Sequence, residues 1–218
     1  MRVICGILVK MAERIRIVPQ EQRVREILVE SQAIVDNDHF RYSSGRHGKT
    51  YINKDALYTN TARINELCRF LARGFQGKNI ETIVGPALGG IVLSQSVAGH
   101  LSNFDNKPIM SVFAEKDGDD FVFKRGYAAH VTGKNVLVVE DILTTGGSAR
   151  KTVDLVRETG GNVVGLGVLI NRGGVTSEDV GNVPLKELLS VNMDSWTPDE
   201  CPPCLEGIPI NTSLGHAL

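Results

Sequence analysis

The chain predicts an α/β fold: an open, mostly parallel twisted sheet flanked by helices. Three observations carry this. Short apolar runs at Ile80–Val84, Ile109–Phe113, Val136–Val139 and Val163–Ile170 read as strands buried on both faces. Stretches of helical periodicity separate several of them, and strands alternating with helices imply parallel neighbours. Glycine-rich turns follow two of the strands, at the edge where open α/β sheets bind ligands.

In order along the chain, Glu21 to Val35 carries Val24, Ile27, Leu28 and Ile34 at helical spacing and predicts a first helix. His39 to Leu57 alternates aromatic and polar residues around Ser43-Ser44-Gly45, which predicts short strands with a turn. Thr61 to Phe75 is the clearest helix: Ile64, Leu67, Cys68, Leu71, Ala72 and Phe75 form one stripe, with Asn60 or Thr61 as cap. The Ile80–Val84 strand leads through Gly85-Pro86-Ala87-Leu88-Gly89-Gly90 into a helix ending near Leu101. After the Ile109–Phe113 strand, the polar stretch Glu115 to Asp120 is expected as a mobile loop, with a strand resuming at Phe121–Phe123. A helix over Ala149–Glu158 stops at Gly160-Gly161, and the Val163–Ile170 strand ends at Asn171-Arg172-Gly173-Gly174.

At 218 residues the chain suits one domain with a small appendage. Its 24 Lys and Arg against 25 Asp and Glu point to neither a nucleic-acid nor a membrane partner. No apolar run approaches the roughly 20 residues of a membrane span. The Val3–Val9 stretch is too short for a secretory signal, and Met11 is an alternative start. Four cysteines are few for a chain of this length and argue against a disulfide framework, and a cytoplasmic location is expected. Cys5 lies in the N-terminal extension and Cys68 on an apolar helix face. Cys201-Pro202-Pro203-Cys204 has the spacing of a redox pair or half a zinc site. With no second cysteine pair, and His216 the lone extra candidate, two reduced thiols are expected.

The run from Val136 to Ser148 carries the chemistry. An apolar strand is expected to end at Glu140-Asp141, followed by Ile142-Leu143 and the loop Thr144-Thr145-Gly146-Gly147-Ser148. Small residues let backbone N–H groups approach a phosphate, and the helix that follows adds partial positive charge at its N-terminus. The hydroxyls of Thr144, Thr145 and Ser148 can donate to the same oxygens. Carboxylates do not bind phosphate, so Glu140 and Asp141 are expected to accept from hydroxyls. An acid pair beside a phosphate cradle suggests a phosphorylated sugar.

This run resembles the phosphoribosyl-diphosphate-binding motif of type I phosphoribosyltransferases: four apolar residues, two acids, two variable positions, then Thr-x-Gly-x-Ser/Thr. Gly85 to Gly90 is similar to the pyrophosphate loop of that family. Ser43 to Lys54 looks like the N-terminal hood of orotate phosphoribosyltransferases, with Gly48 where a Ser is more usual. Phe113-Ala114-Glu115-Lys116 and Lys124-Arg125-Gly126 resemble a subgroup of those enzymes, with Lys116 and Lys124 in place of Arg. The resemblance extends from Gln20 to Asn211 and includes the Glu-Cys-Pro-x-Cys order of the tail.

The resemblance implies the type I phosphoribosyltransferase fold with a small N-terminal hood. The expected division is an extension over 1–19, hood elements over 20–60, a core over 61–192 and a tail over 193–218 that completes the hood or packs on the core. It implies transfer of a phosphoribosyl group to orotate, with Mg²⁺ as cofactor bound mainly through the diphosphate and with no protein metal ligand assigned. A homodimer is expected. Lys54, Lys116 and Asp141 are the catalytic candidates. Phosphoribosyl diphosphate is assigned to Glu140 through Ser148, Lys116, Gly89 and Gly90, and the base to Thr144, Arg172 and Lys54. Arg172 follows a buried strand, and its planar fork suits a carboxylate that purines lack. The competing readings are a purine-base phosphoribosyltransferase and a non-enzymatic nucleotide-sensing regulator on the same fold.

Overall fold

The computed structural model describes residues 20–42 and 44–214. The expected extension over 1–19 with Cys5 and Met11, the turn residue Ser43, and His216 lie outside the described residues.

The first helix, α1 (Gln20–Glu30), buries Val24, Ile27 and Leu28 and is shorter than its apolar pattern suggests. Ile34 and Val35 belong instead to a short strand, β1 (Ile34–Val35), which pairs antiparallel with β4 (Tyr51–Ile52). Both partners are apolar, so β pairing buries Ile34 without extending the helix. Between them β2 (Phe40–Arg41) and β3 (His47–Gly48) form an antiparallel hairpin. The expected strand region stops at Asn53, because α2 (Lys54–Tyr58) is helical.

Helix α3 (Thr61–Arg73) starts as expected: the Asn60 side chain accepts from the Arg63 amide at 3.1 Å and caps it. There follow β5 (Thr82–Pro86), α4 (Gly89–Asp105), β6 (Met110–Asp117), β7 (Asp120–Val122), β8 (Asn135–Leu143), α5 (Gly147–Glu158), β9 (Asn162–Asn171), β10 (Leu185–Ser190) and α6 (Pro202–Leu205). Among the described residues the main sheet runs β10-β9-β8-β5-β6-β7, with every pair parallel except β6 and β7.

The expected mobile loop at 115–120 is a β-hairpin. Glu115 pairs with Val122 and Lys116 with Phe121, so polar residues sit in an edge ladder whose side chains reach water. Strand β10 was not foreseen, since Lys186 and Glu187 interrupt its apolar run. As an edge strand it needs cover on one side only, and its pattern is mostly exposed with Leu189 buried.

The sheet divides two apolar layers. Leu137 and Val139 of β8 join α1, α3 and α4 on one face. Val136 and Val138 join Val153 and Val156 of α5 on the other. Alternate residues of one strand thus feed both layers, which is why the run lacks polar alternation. Strand β5 leads to β6 on one side, whereas β8 leads to β9 on the other. Their following loops diverge and leave a crevice between the two strands' carboxyl ends, the place where such sheets bind ligands.

Candidate active site

Both glycine-rich segments open onto that crevice. The β5 end meets α4 at a contact that only glycine permits. A Cβ on Gly85 would lie 2.2 Å from the Gly90 carbonyl oxygen, and one on Gly90 would lie 2.7 Å from Gly85. The Ala87–Leu88 peptide between them is cis.

Strand β8 continues to Leu143, so Glu140 and Asp141 lie within the pairing ladder and not beyond it. Parallel pairing with β9 persists through Leu143↔Asn171 and draws the acids inward, leaving Asp141 4% and Glu140 7% exposed. Each carboxylate folds back on the chain: the Asp141 amide donates to Glu140 Oε1 at 3.0 Å, and the Ile142 amide to Asp141 Oδ1 at 2.7 Å. Burial, reinforced by Asp141, pushes the Glu140 carboxyl above the usual carboxylate range.

Asp141 is the hub. Lys54 Nζ lies 3.1 Å from its Oδ2, and the Tyr58 hydroxyl donates to the same oxygen at 2.9 Å. Burial would lower the pKa of Lys54, but the charge and hydrogen bond of Asp141 outweigh it and hold the ammonium above its ordinary value. Burial and the same carboxylate push the Tyr58 phenol up, so it stays a donor. Gly89 completes the packing: a Cβ there would lie 2.1 Å from Asp141 Oδ2 and 2.5 Å from the Tyr58 hydroxyl oxygen.

Sequence reading missed Tyr58. It stands four residues after Lys54 on α2, on the same helix face, and a helix assigned to 54–58 would have exposed the pairing.

The Thr144–Ser148 loop turns through Gly146, whose φ of 78° is the left-handed region that glycine favours. Gly146 is the N-cap of α5 and offers no side chain, so the amides of the helix's first turn point to the crevice. Thr144, Thr145, Gly147 and Ser148 are exposed. Arg172, just past β9, donates from Nε to the Thr144 hydroxyl at 2.9 Å, and its own amide donates to the Leu143 carbonyl at 2.9 Å. Gly173 makes this approach possible, since a Cβ there would lie 1.7 Å from the Thr144 carbonyl oxygen.

A cavity of about 240 Å³ is lined by Lys54, Leu88, Gly89, Lys116, Asp141 and the 142–149 segment. A second, about 560 Å³, adjoins it between the hood and β9, lined by Arg41, Tyr42, Tyr51, Lys54, Thr144 and Arg172 among others. Lys54, Asp141, Ile142 and Thr144 border both. Lys116 is exposed and makes no ion pair among the described residues, whereas Glu115 pairs with Arg125 at 2.9 Å and Asp120 with Lys151 at 3.3 Å. All the sequence-predicted site residues therefore border one connected crevice or, for Gly90, shape its wall. The carboxylate of Asp141 is committed on both oxygens and offers no bare cage for a cation.

A family model for the phosphoribosyl transferase domain matches residues 53–196. The orotate phosphoribosyltransferase of Caldanaerobacter subterraneus subsp. tengcongensis is 36% identical over 193 residues, covering 88% of this chain and 95% of that one. The enzyme of the same name from Pelotomaculum thermopropionicum is 39% identical over 171 residues, covering 78% and 85%. Among solved structures, Mycobacterium tuberculosis orotate phosphoribosyltransferase in complex with 5-phospho-alpha-D-ribosyl 1-diphosphate aligns with a TM-score of 0.61 at 22% identity, covering 79% of this chain and 96% of that one. An adenine phosphoribosyltransferase from Rhodothermus marinus aligns with a TM-score of 0.57 at 22% identity, covering 76% and 98%. The two structural likenesses speak for a common fold alone, and that fold accommodates more than one base.

Proposed function

The chain belongs to the phosphoribosyl transferase domain family, and from that membership we propose that it is an orotate phosphoribosyltransferase. It transfers the phosphoribosyl group of 5-phosphoribosyl 1-diphosphate to orotate, giving orotidine 5′-monophosphate and diphosphate in pyrimidine synthesis. The observation that carries the reading is the join of a buried acid pair, an exposed loop at a helix N-terminus and a second cavity walled in part by Arg172 and the hood. The curated relatives support the choice of base.

In this reading the 5′-phosphate sits on the amides and hydroxyls of Thr144 to Ser148, and the ribose hydroxyls donate to Glu140 and Asp141. The diphosphate lies against Gly89, Gly90 and Lys116. Orotate occupies the second cavity: the Arg172 guanidinium takes its carboxylate, held at the right height by Thr144, and Lys54 lies at the junction. The anomeric carbon passes through an oxocarbenium-like state, so the work is electrostatic: Lys54 and Lys116 meet the charge developing on the leaving diphosphate. The orotate ring nitrogen is already acidic, and no strong general base is required.

Mg²⁺ is the cofactor in this reading and supplies charge neutralisation on the diphosphate oxygens. The donor set fits it as a guest of the substrate, because hard oxygens line the crevice while Asp141 is already engaged by Lys54, Tyr58 and the Ile142 amide. The protein acts as a homodimer in the cytoplasm. No helix among the described residues is long and apolar enough to cross a membrane.

Turnover of orotate, adenine, guanine and hypoxanthine with phosphoribosyl diphosphate, with and without Mg²⁺, tests the reading. Metal-dependent turnover of orotate alone is expected. Turnover of a purine alone overturns the base assignment, and nucleotide binding without turnover of any base favours the regulator.

A further inference from the structure

We infer that His39, His47, Cys201 and Cys204 form a structural zinc site that staples the hood hairpin to the C-terminal tail. The four side chains come from distant parts of the chain yet place their donor atoms within 4.8 Å of one another. His39 immediately precedes β2 and His47 opens β3, so the hairpin brings the imidazoles together. Cys201 precedes α6 and Cys204 lies within it, so the Cys-Pro-Pro-Cys knuckle offers both sulfurs to one point.

The donor-atom distances come within about 0.4 Å of the edges of a zinc tetrahedron. Bonds of about 2.05 Å to nitrogen and ~2.3 Å to sulfur give edges of roughly 3.3 Å between nitrogens and about 3.6 Å from nitrogen to sulfur. Here His39 Nε2 lies 3.0 Å from His47 Nδ1, 3.5 Å from Cys201 Sγ and 3.6 Å from Cys204 Sγ, and His47 Nδ1 lies 3.2 Å from Cys204 Sγ.

Protonation points the same way. His39 Nδ1 is 2.7 Å from the Ile208 carbonyl oxygen, which can only accept, so the ring proton sits on Nδ1. The lone pair of Nε2 therefore faces the cluster, and a backbone carbonyl fixes the tautomer, as an acceptor on the far ring nitrogen does for metal-bound histidines. One lone pair can take one proton, yet three heteroatoms converge on it. A shared cation at the centre satisfies all four donors at once. His39 is 1% exposed and Cys201 0%, so water does not supply those partners. Two sulfurs and two imidazoles in a closed tetrahedron select zinc and leave no open position for catalysis.

The staple has something to hold. His47 and Trp196 exchange backbone hydrogen bonds at 2.8 Å in both directions, and the Asn211 amide donates to the His39 carbonyl at 2.7 Å. Ser213 and Leu214 of the same tail line the second cavity together with Arg41 and Tyr42 of the hairpin. Binding zinc converts both thiols to thiolates and releases their two protons to solvent.

The test is the metal content of the full chain produced in zinc-supplemented medium and dialysed against a weak chelator, read by plasma mass spectrometry. About one zinc per chain is expected, falling at least ~10-fold in Cys204→Ser and His39→Asn. Cobalt substituted into the wild-type chain should give the intense visible bands of a tetrahedral site and thiolate charge-transfer bands in the near ultraviolet. This arm requires no variant to fold. A wild-type chain with under about a tenth of an equivalent of zinc, unchanged zinc in Cys204→Ser, or an intact mass showing a Cys201–Cys204 disulfide overturns the site. Metal content is read without substrate, so the outcome is independent of the transferase assay.

Discussion

Lys54 and Asp141 meet at 3.1 Å across the joint between hood and sheet, one half-exposed and the other buried at the end of the central strand. The ammonium is the only cation that reaches this carboxylate among the described residues, and the Tyr58 hydroxyl shares the same oxygen. Asp141 thereby sets the position of the hood's catalytic candidate as well as facing the crevice.

Asp141→Asn removes the charge from both contacts while preserving shape. Charge-assisted hydrogen bonds contribute about 1.5–3 kcal/mol each, so a fall in kcat/KM of at least roughly 10- to 100-fold is expected with the circular dichroism spectrum unchanged. Lys54 is held protonated by this carboxylate, so the alkaline limb of its pH–rate profile should move to lower pH in the variant. Unchanged kinetics would remove the acid pair from the mechanism.

Glu140→Gln should change stability in a pH-dependent way. The folded-state pKa of Glu140 is raised above its ordinary 4.5, so its favourable contribution is complete below that value and is lost as the pH rises through the raised one. Above it, the native protein keeps an ionised carboxylate out of water and the variant does not. Thermal melts without substrate should show the variant gaining on the wild type from acid to alkaline pH. A constant difference in melting temperature would contradict this.

Arg172→Lys keeps the charge and loses the fork. The Nε bond to Thr144 disappears, and a point charge replaces two parallel donors. KM for orotate should rise by about 10-fold or more, with KM for phosphoribosyl diphosphate changed far less. An equal rise in both would place Arg172 on the sugar side.

Gly89→Ala puts a methyl group 2.1 Å from Asp141 Oδ2, inside contact distance. That carboxylate is buried and engaged at both oxygens, so it has little room to withdraw. Overpacking of this kind costs about 1–3 kcal/mol, and a lower denaturation midpoint should accompany a loss of activity. A variant with native stability and rate would show that the carboxylate moves freely.

Much of this was legible because local and tertiary demands coincide at β8. Its apolar run, acids and glycine loop lie consecutively, and each residue type is dictated by the same strand-to-helix turn. That both glycine-rich turns lie at the ligand-binding edge likewise follows from the buried runs they end, whereas the adjacency of β5 and β8 does not, because β6 and β7 intervene in the chain. The hairpin at 110–122 was hidden because edge pairing tolerates Glu115, Lys116 and Asp117, whose composition resembles that of a loop. Tyr58 was hidden because the stretch up to Leu57 reads as strands, although Lys54–Tyr58 is helical. The histidines opposite Cys201 and Cys204 were hidden because they lie about 160 residues upstream, 162 for the His39–Cys201 pair, and only the fold of the tail over the hairpin brings them near.

The divergence of β5 from β8 also separates two kinds of selectivity. Everything that touches sugar or phosphate in the proposed arrangement, apart from the two lysines, hangs from strand ends whose positions the sheet fixes. Apart from the end of β8 that both cavities share, the walls of the base cavity come from the hood, the tail and the single arginine after β9. A change of nucleobase on such a scaffold therefore calls for changes in the hood, the tail and one side chain, while the grip on the donor sugar stays as it is.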